Sequence, residues 1–397
     1  MKRYVWALSL LLISLGASAE INFLDNPVWS TVLEKAKKEN KMIFLDGYAV
    51  WCGPCKKMDA ETYKDQAVAD YYNANFINVK YDLEKGEGPA LAEKYLVTAY
   101  PNLLFINPDG VLLHKGVGFN EAVDFVKLGK TARDASSQYY TLKKSALSLT
   151  PAQFLKFAES ATAFEDEDFE TLSNSYLSKQ TDVLGSNDLI NLVMLHVNTL
   201  PSEKMLAYII NNKAKITASG LFNNEDVEEK IVSLTLGYSL SEEAQQGAED
   251  LDLTVVKTIT EKYIPEKAFF VYHYFKAQFS IDGKKVDEGV SALEEIFKNT
   301  PEKVSYDQAC NAMMNMGPAL AEAGKLDQAF KTFDTIKLKG EDTKKAYMNN
   351  FVKAIIYIKT KNFDKFREMA NLLTASPDTP ESVKEDLKGA LERLKQP

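Results

Sequence analysis

The sequence predicts an α/β domain at residues 20–135 and an all-helical domain of helical hairpins at residues 150–397. Up to residue 135, short apolar β-branched segments alternate with amphipathic helical segments, a pattern typical of a sheet covered by helices on both faces. Beyond a polar junction at residues 136–149, the apolar residues follow only the helical period and no strand-like run interrupts them. At 397 residues the chain is long enough for more than one hydrophobic core.

A short leader is predicted before the first domain. Lys2 and Arg3 precede an apolar run that is too short to span a bilayer, and small residues at 16–19 form an A-x-A cleavage site. We interpret residues 1–19 as a signal peptide cleaved near Ala19, with no membrane span after cleavage. Bacterial export to the periplasm is the preferred interpretation, although the cleavage site also fits a eukaryotic secretory route.

The charge balance excludes two classes of partner. The formal charge changes from −9 to −11 on cleavage, because the leader carries Lys2 and Arg3 and no acidic residue. An acidic exported chain is not expected to bind nucleic acid or an anionic membrane surface. Three cysteines in a chain of this length also exclude a scaffold held together by disulfides.

The elements of the first domain follow from local patterns. Asn26-Pro27 can begin a helix whose apolar face contains Trp29, Val32, Leu33 and Ala36. The apolar strand 42–48 then leads into a helix that starts at the cysteine pair. The remaining predictions are helix 67–72, strand 76–81, helix 89–95, strands 103–106 and 111–115 joined by the turn 107–110, and a helix at about 120–131.

Between the strand and the helix lies the segment Trp51-Cys52-Gly53-Pro54-Cys55, whose two cysteines can close and reopen a small disulfide. The thiolate is the attacking species, so the first cysteine needs a pKa below the ordinary thiol value of about 8.5. At a helix N-terminus, unpaired N–H groups and the helix dipole favour that negative charge. Pro54, in the first helical turn, removes no helical hydrogen bond. These features indicate redox chemistry at Cys52 and Cys55.

A C-x-x-C pair can also be half of a zinc site or a purely structural disulfide. A structural zinc site needs four ligands at characteristic spacing, and no second pair accompanies the isolated residues Cys310, His114, His196 and His273. A purely structural disulfide that closes a two-residue loop adds little chain-entropy stabilisation. No metal and no cofactor are therefore expected.

The element order and the segment at residues 51–55 resemble thioredoxin, and residues 33–41 resemble exported thioredoxin-like domains. One such domain is the periplasmic reductase module of the inner-membrane thiol:disulfide interchange proteins. The resemblance covers residues 22 to about 130. It implies a thioredoxin fold in which Cys52 attacks a substrate disulfide and Cys55 resolves the mixed disulfide.

The resemblance also implies roles for residues outside the cysteine motif. Asp46 matches the buried acid that assists proton transfer to and from the inner cysteine, and Lys80 matches the lysine near that acid. Pro101 matches a cis-proline that faces the disulfide. Lys80 could instead be a solvated strand residue and Pro101 an ordinary strand-edge proline. The residues expected to contact substrate are Trp51, Gly53, Pro54, Tyr100, Pro101 and Gly118.

The chain departs from thioredoxin at three places. Gly47 and Tyr48 replace the usual aromatic pair, and Tyr100 replaces an aliphatic residue before the proline. Since that last residue touches the incoming polypeptide, substrate preference cannot be transferred from thioredoxin. Residues 84–88 form a polar insertion, which we interpret as a solvated loop.

The helical domain contains a weak internal repeat. Segments that begin at Val286, Leu326 and Phe363 align with each other, and the middle one resembles the second helix of a tetratricopeptide hairpin. Stacked hairpins of this kind commonly make a concave protein-binding surface, although they can also form a simple bundle. Cys310, in an apolar helical segment, is expected to be a buried small hydrophobe.

The sequence therefore favours an exported thiol–disulfide oxidoreductase that reduces or isomerises protein disulfides. Its predicted partners are disulfide-containing proteins and an upstream dithiol electron donor. The alternative is a binding or assembly protein whose helical domain recognises a partner, while the thioredoxin-like domain is mainly a scaffold.

Overall fold

The structure, a computed structural model, describes residues 20–248 and 250–394. The predicted signal peptide at residues 1–19 lies outside the described residues. The chain divides into two compact units, with the division between His196 and Val197. No helix in the described ranges is long and apolar enough to cross a membrane.

The first unit contains a five-stranded mixed sheet with the strand order β1-β3-β2-β4-β5. Strands β1, β3 and β2 run parallel, whereas β4 is antiparallel to β2 and β5 is antiparallel to β4. The two-residue strand β1 was not predicted. The strands are β1 (Leu24–Asp25), β2 (Met42–Tyr48), β3 (Phe76–Asp82), β4 (Asn102–Ile106) and β5 (Leu112–Val117).

Helices cover both faces of this sheet, as the sequence predicts. Ile43 and Leu45 of β2 pack in the core beneath α1 and α4, whereas Phe44 packs in the opposite core beneath α2, α3 and α5. This alternation follows from the two-residue period of a strand. The helices of the first unit are α1 (Trp29–Glu39), α2 (Gly53–Ala60), α3 (Gln66–Asn75), α4 (Gly88–Lys94), α5 (Ala122–Arg133), α6 (Tyr139–Lys144), α7 (Pro151–Ala163), α8 (Phe169–Leu177) and α9 (Asn187–Asn191), followed by a π-helical turn (Leu192–His196).

The predicted linker at residues 136–149 contains helix α6, which packs against the sheet. The backbone N–H of Tyr139 donates a hydrogen bond to Nδ1 of the buried His114 on β5, at 3.1 Å. The Tyr139 ring stacks on Phe157 of α7 at a centroid distance of 5.7 Å. Residues up to His196 thus continue the first compact unit. The division into folding domains at residue 135 stays a prediction.

The second unit is helical, and the described residues 197–248 and 250–394 contain no strand, as predicted. The three repeated segments begin at the first residues of α16, α18 and α20, while their tetratricopeptide resemblance stays a prediction. The helices are α10 (Glu203–Asn211), α11 (Lys213–Ala218), α12 (Asn224–Leu240), α13 (Glu242–Gln245), α14 (Leu253–Tyr263), α15 (Pro265–Asp282), α16 (Val286–Lys298), α17 (Tyr306–Glu322), α18 (Leu326–Phe333), α19 (Met348–Lys359), α20 (Phe363–Ala375) and α21 (Glu381–Arg393).

Candidate active site

The two cysteines lie where β2 leads into α2. Cys52 is the N-cap of α2, and Pro54 occupies the first helical turn, as the sequence predicts. Cys52 and Cys55 form a disulfide, and the backbone N–H of Cys55 donates to Sγ of Cys52 at 3.1 Å. An N–H group directed at the sulfur is the arrangement that stabilises a thiolate after reduction. The pair is therefore built for exchange rather than for cross-linking distant parts of the chain.

The residues predicted to contact substrate surround this disulfide. Trp51 is 66% exposed, and its indole ring lies edge-on to Tyr100 at a centroid distance of 5.7 Å. Tyr100 also packs against the buried cluster formed by Ala49, Cys52 and Cys55. The Tyr100–Pro101 bond is cis, as expected, and the N–H of Gly118 donates to the carbonyl of Pro101 at 2.9 Å.

Gly118 and Gly53 leave the surface near the site open. Gly118 has φ = +83°, a backbone conformation that favours glycine, and a Cβ added at either glycine would meet no atom within 4 Å. The structure thus brings together all six residues predicted to contact substrate. Their roles in binding stay predictions.

Asp46, the predicted proton-transfer acid, lies on β2 and is 1% exposed. Burial raises the pKa of its carboxyl to about 6, against the opposing effect of the Lys80 ammonium. Nζ of Lys80 lies 3.6 Å from Oδ2 of Asp46, because the two residues are register partners on β2 and β3. A group with this pKa can both accept and donate a proton near neutral pH.

Lys80 is not a solvated strand residue, since its side chain is only 16% exposed. Its ammonium group lies over the rings of Phe23, Tyr48 and Tyr63, at 5.1 to 5.6 Å from their centroids. It also forms an ion pair with Asp59 on α2, a residue that the sequence analysis did not identify. Burial lowers the pKa of Lys80, but Asp46 and Asp59 outweigh it and raise the pKa above its usual value.

The polar insertion at residues 84–88 takes part in the site as well. The indole N–H of Trp51 donates to the Glu84 carboxylate at 3.0 Å, and the backbone N–H of Trp29 donates to Oε2 of Glu87 at 2.7 Å. Residues 84–87 form an exposed turn, as the sequence predicts for a solvated loop, and two of its carboxylates accept these hydrogen bonds. The sequence did not predict these hydrogen bonds, because a free carboxylate and a hydrogen-bonded one have the same appearance in a sequence.

The other candidate metal ligands lie on separate elements: His114 on β5, His196 in the π-helical turn, His273 on α15 and Cys310 on α17. Cys310 is buried within α17 of the second unit. The described ranges contain no group of three or more His, Cys, Asp or Glu side chains that could hold a metal ion.

Comparisons with known proteins agree with the geometry. A family model described as "Thioredox_DsbH: Protein of unknown function, DUF255" matches residues 19–106. Thioredoxin H4 of Arabidopsis thaliana is 38% identical over 96 residues, which are 24% of this chain and 76% of that protein. The thiol:disulfide interchange protein DsbD of Pseudomonas fluorescens is 29% identical over 79 residues, 20% of this chain and 14% of that protein.

Among solved structures, a candidate disulphide-isomerase from Bacteroides thetaiotaomicron shares 41% sequence identity with this chain. The alignment covers 30% of this chain and 97% of that one, with a TM-score of 0.28.

Proposed function

This chain belongs to the thioredoxin family and is a thiol–disulfide oxidoreductase, and we propose that it reduces or isomerises the disulfides of exported proteins in a bacterial periplasm. The observation that carries the proposal is the arrangement of Cys52 and Cys55 at the start of α2, with Tyr100 packed against the cluster that contains them. The exposed Trp51 marks the surface on which a polypeptide substrate would lie.

In the proposed reaction, the Cys52 thiolate attacks one sulfur of the substrate disulfide. That bond breaks, the other substrate sulfur leaves as a thiolate, and a mixed disulfide forms on Cys52. Cys55 then transfers its proton to Asp46 and displaces the second substrate sulfur. The substrate gains two electrons and leaves as two thiolates, which take up the proton held by Asp46 and one proton from water, while the Cys52–Cys55 pair returns to the disulfide.

The Gly-Pro pair between the cysteines supports reduction or isomerisation over oxidation. Thioredoxin, which this centre resembles, has a potential of about −270 mV, against about −120 mV for a dedicated oxidant. The donor would be another dithiol protein, because the oxidised pair needs two electrons for each turnover. The DsbD relative, named as a thiol:disulfide interchange protein, supports this class of donor.

Support for export comes from residues 1–19, whose charged, apolar and small segments follow the order of a signal peptide. Export is tested by fractionating native host cells and measuring the size of the chain in the periplasmic and cytoplasmic fractions. We expect the cleaved chain in the periplasmic fraction; an intact, cytoplasmic chain would overturn the proposed location.

The redox function is tested by insulin reduction with wild type, Cys52→Ser and Cys310→Ser. We expect loss of activity in Cys52→Ser only, because Cys310 is buried in the other unit. Full activity of Cys52→Ser would contradict the proposal and favour the assembly-factor alternative. Refolding of a substrate with scrambled disulfides then separates isomerase from reductase activity.

Substrates are identified by trapping. In Cys55→Ala, the mixed disulfide on Cys52 cannot be resolved, so proteins captured in the native host stay covalently attached. We expect exported proteins with cysteine pairs among them. A set that matches the one captured by Cys52→Ala/Cys55→Ala would show that the attachment does not involve Cys52.

A further inference from the structure

A cavity of about 470 Å³ opens beside the redox centre, at the carboxyl ends of the parallel strands β1, β3 and β2. Its walls come from the segments that follow those strands, residues 26–28, 81–87 and 48–50. The crevice outside the carboxyl ends of parallel strands is the usual ligand position in open α/β sheets. Part of one wall is the polar insertion at residues 84–88, which thioredoxin lacks.

The cavity and the disulfide share wall residues. Tyr48 lines the cavity and also packs in the cluster that contains Cys52 and Cys55. Val50, a second lining residue, is 50% exposed and lies two positions before Cys52. A polypeptide bound at Cys52 can therefore place a neighbouring side chain in this cavity, since extended chain advances about 3.3 Å per residue.

The cavity lining combines apolar and acidic side chains. Val28 and Val50 supply apolar surface, and they are 58% and 50% exposed. The charged lining groups are Asp82, Glu87 and Lys85, two carboxylates against one ammonium. Lys85 pairs with Asp82 at 3.1 Å, but its side chain is 69% exposed and that of Asp82 only 5%. An exposed lysine thus neutralises a buried carboxylate.

We propose that this cavity is a specificity subsite for an arginine side chain that lies close to the substrate disulfide. Arginine combines a long aliphatic stem, which suits the valine walls, with a planar cation that stacks on tyrosine and pairs with carboxylates. The proposal rests on the proposed reduction of protein disulfides and names the substrate feature that this chain selects.

The test uses the full chain, reduced beforehand, and a set of peptides dimerised through one cysteine. Each peptide carries Arg, Leu, Gln or Glu at one position, up to three residues on either side of the cysteine. The second-order rate of disulfide reduction is followed by tryptophan fluorescence. At the best position we expect the Arg peptide to be reduced roughly threefold to tenfold faster than the Gln peptide. This is the range expected for a partly exposed ion pair with ring stacking. The preference should weaken with added salt.

Two variants should move this preference in opposite directions. Glu87→Gln removes a negative charge but keeps an oxygen that can accept the Trp29 N–H, so the Arg preference should fall. Lys85→Ala removes the competing ammonium, so the preference should rise. The matched controls, Glu159→Gln on α7 and Lys127→Ala on α5, change exposed charges outside the cavity lining and should leave it unchanged.

Three outcomes would overturn the subsite while leaving the proposed function intact. These are equal rates for all peptides, a preference for Leu that marks an apolar occupant, and an Arg preference that neither cavity variant alters. Failure of the wild type to reduce even a small generic disulfide would instead overturn the proposed function itself.

Discussion

At the scale of single residues, burial decides the chemistry of Asp46. Its carboxyl is 1% exposed, and burial raises its pKa from 3.8 to about 6 although Lys80 opposes the shift. In the unfolded chain the carboxyl has its ordinary pKa, so the folded state holds the proton more tightly between pH 4 and 6. Stability of the first unit must therefore fall as pH rises through this window. Once Asp46 is ionised in both the folded and the unfolded state, this loss of stability amounts to about 3 kcal/mol.

We predict that Asp46→Asn raises the free energy of unfolding of the oxidised protein by about 3 kcal/mol at pH 8 and changes it much less near pH 4. Urea unfolding followed by tryptophan fluorescence measures this, because Trp29 and Trp51 both lie in the first unit. Asp124→Asn, an exposed change on α5, is the control. A difference between Asp46→Asn and wild type that does not depend on pH would contradict the assigned burial effect.

A second prediction concerns Cys52. Its position as the N-cap of α2 and the Cys55 N–H directed at its sulfur favour the thiolate, so its pKa should lie below about 8.5. Thiolate absorbance against pH is measured in Cys55→Ala. Burial raises the pKa of the Cys310 thiol to about 12, so that group does not interfere. Subtraction of the Cys52→Ala/Cys55→Ala titration removes the tyrosine signal. A midpoint at or above 8.5 would remove the nucleophilic role from Cys52.

At the scale of elements, the end of α4 sets the path of the chain towards the Tyr100–Pro101 loop. The helix ends with the N–H of Val97 donating to the carbonyl of Ala92 at 2.9 Å, a C-terminal motif that requires a left-handed residue between them. That residue is Leu96, with φ = +51° and 75% exposure. A branched side chain in this conformation is strained, and little burial compensates for it.

We predict that Leu96→Gly stabilises the first unit by about 1 kcal/mol, since glycine adopts the left-handed conformation without a Cβ clash. The same urea titration measures the gain. The matched control is Leu147→Gly: Leu147 is 40% exposed and lies in a 3-10 turn without a positive φ, so glycine there should destabilise. Loss of stability in Leu96→Gly would show that the Leu96 side chain contributes more than its exposure indicates.

At the scale of the whole molecule, the first compact unit extends well beyond the thioredoxin-like elements. His114 on β5 is 4% exposed and accepts a hydrogen bond from the Tyr139 N–H of α6. Burial lowers the pKa of His114 to about 4. Stability tied to this histidine is fully present above its ordinary pKa of about 6.5 and is lost as pH falls towards 4. Residues 136–196 thus contribute to the environment of the sheet.

We predict that residues 20–135 and residues 20–196, each expressed alone, both reduce a small generic disulfide. The shorter fragment should be less stable by at least about 2 kcal/mol, because it lacks the large buried rings of Tyr139 and Phe157. In this fragment His114 is the single histidine, and its pKa should rise from about 4 towards 6.5, as measured by NMR titration.

Equal unfolding midpoints for the two fragments, together with an unchanged pKa of His114, would show that α6–α9 form a separate domain. In that case the sequence-based boundary at residue 135 would be correct. Selectivity for natural protein substrates is expected only in the full chain, where linked binding by the helical domain would raise the local substrate concentration.

The amino-acid sequence correctly predicts the alternating elements of residues 29–133, the helical character of the second unit and the position of Cys52 at a helix start. These features follow from local signals: the period of apolar residues, Pro54 in a first turn and the turn chemistry of residues 107–110. Each depends on residues within a few positions of one another, so a linear pattern contains the necessary information.

Several contacts between residues that are distant in sequence follow from the tertiary structure and were not predicted. The strand Leu24–Asp25 forms because β3 offers it a free edge, a pairing that two residues cannot signal. Asp59 reaches Lys80, and Glu84 reaches Trp51, only after the chain has brought separate elements together. The cavity of about 470 Å³ likewise arises from three loops far apart in sequence. Such contacts depend on the relative positions of packed elements, which composition and periodicity do not encode.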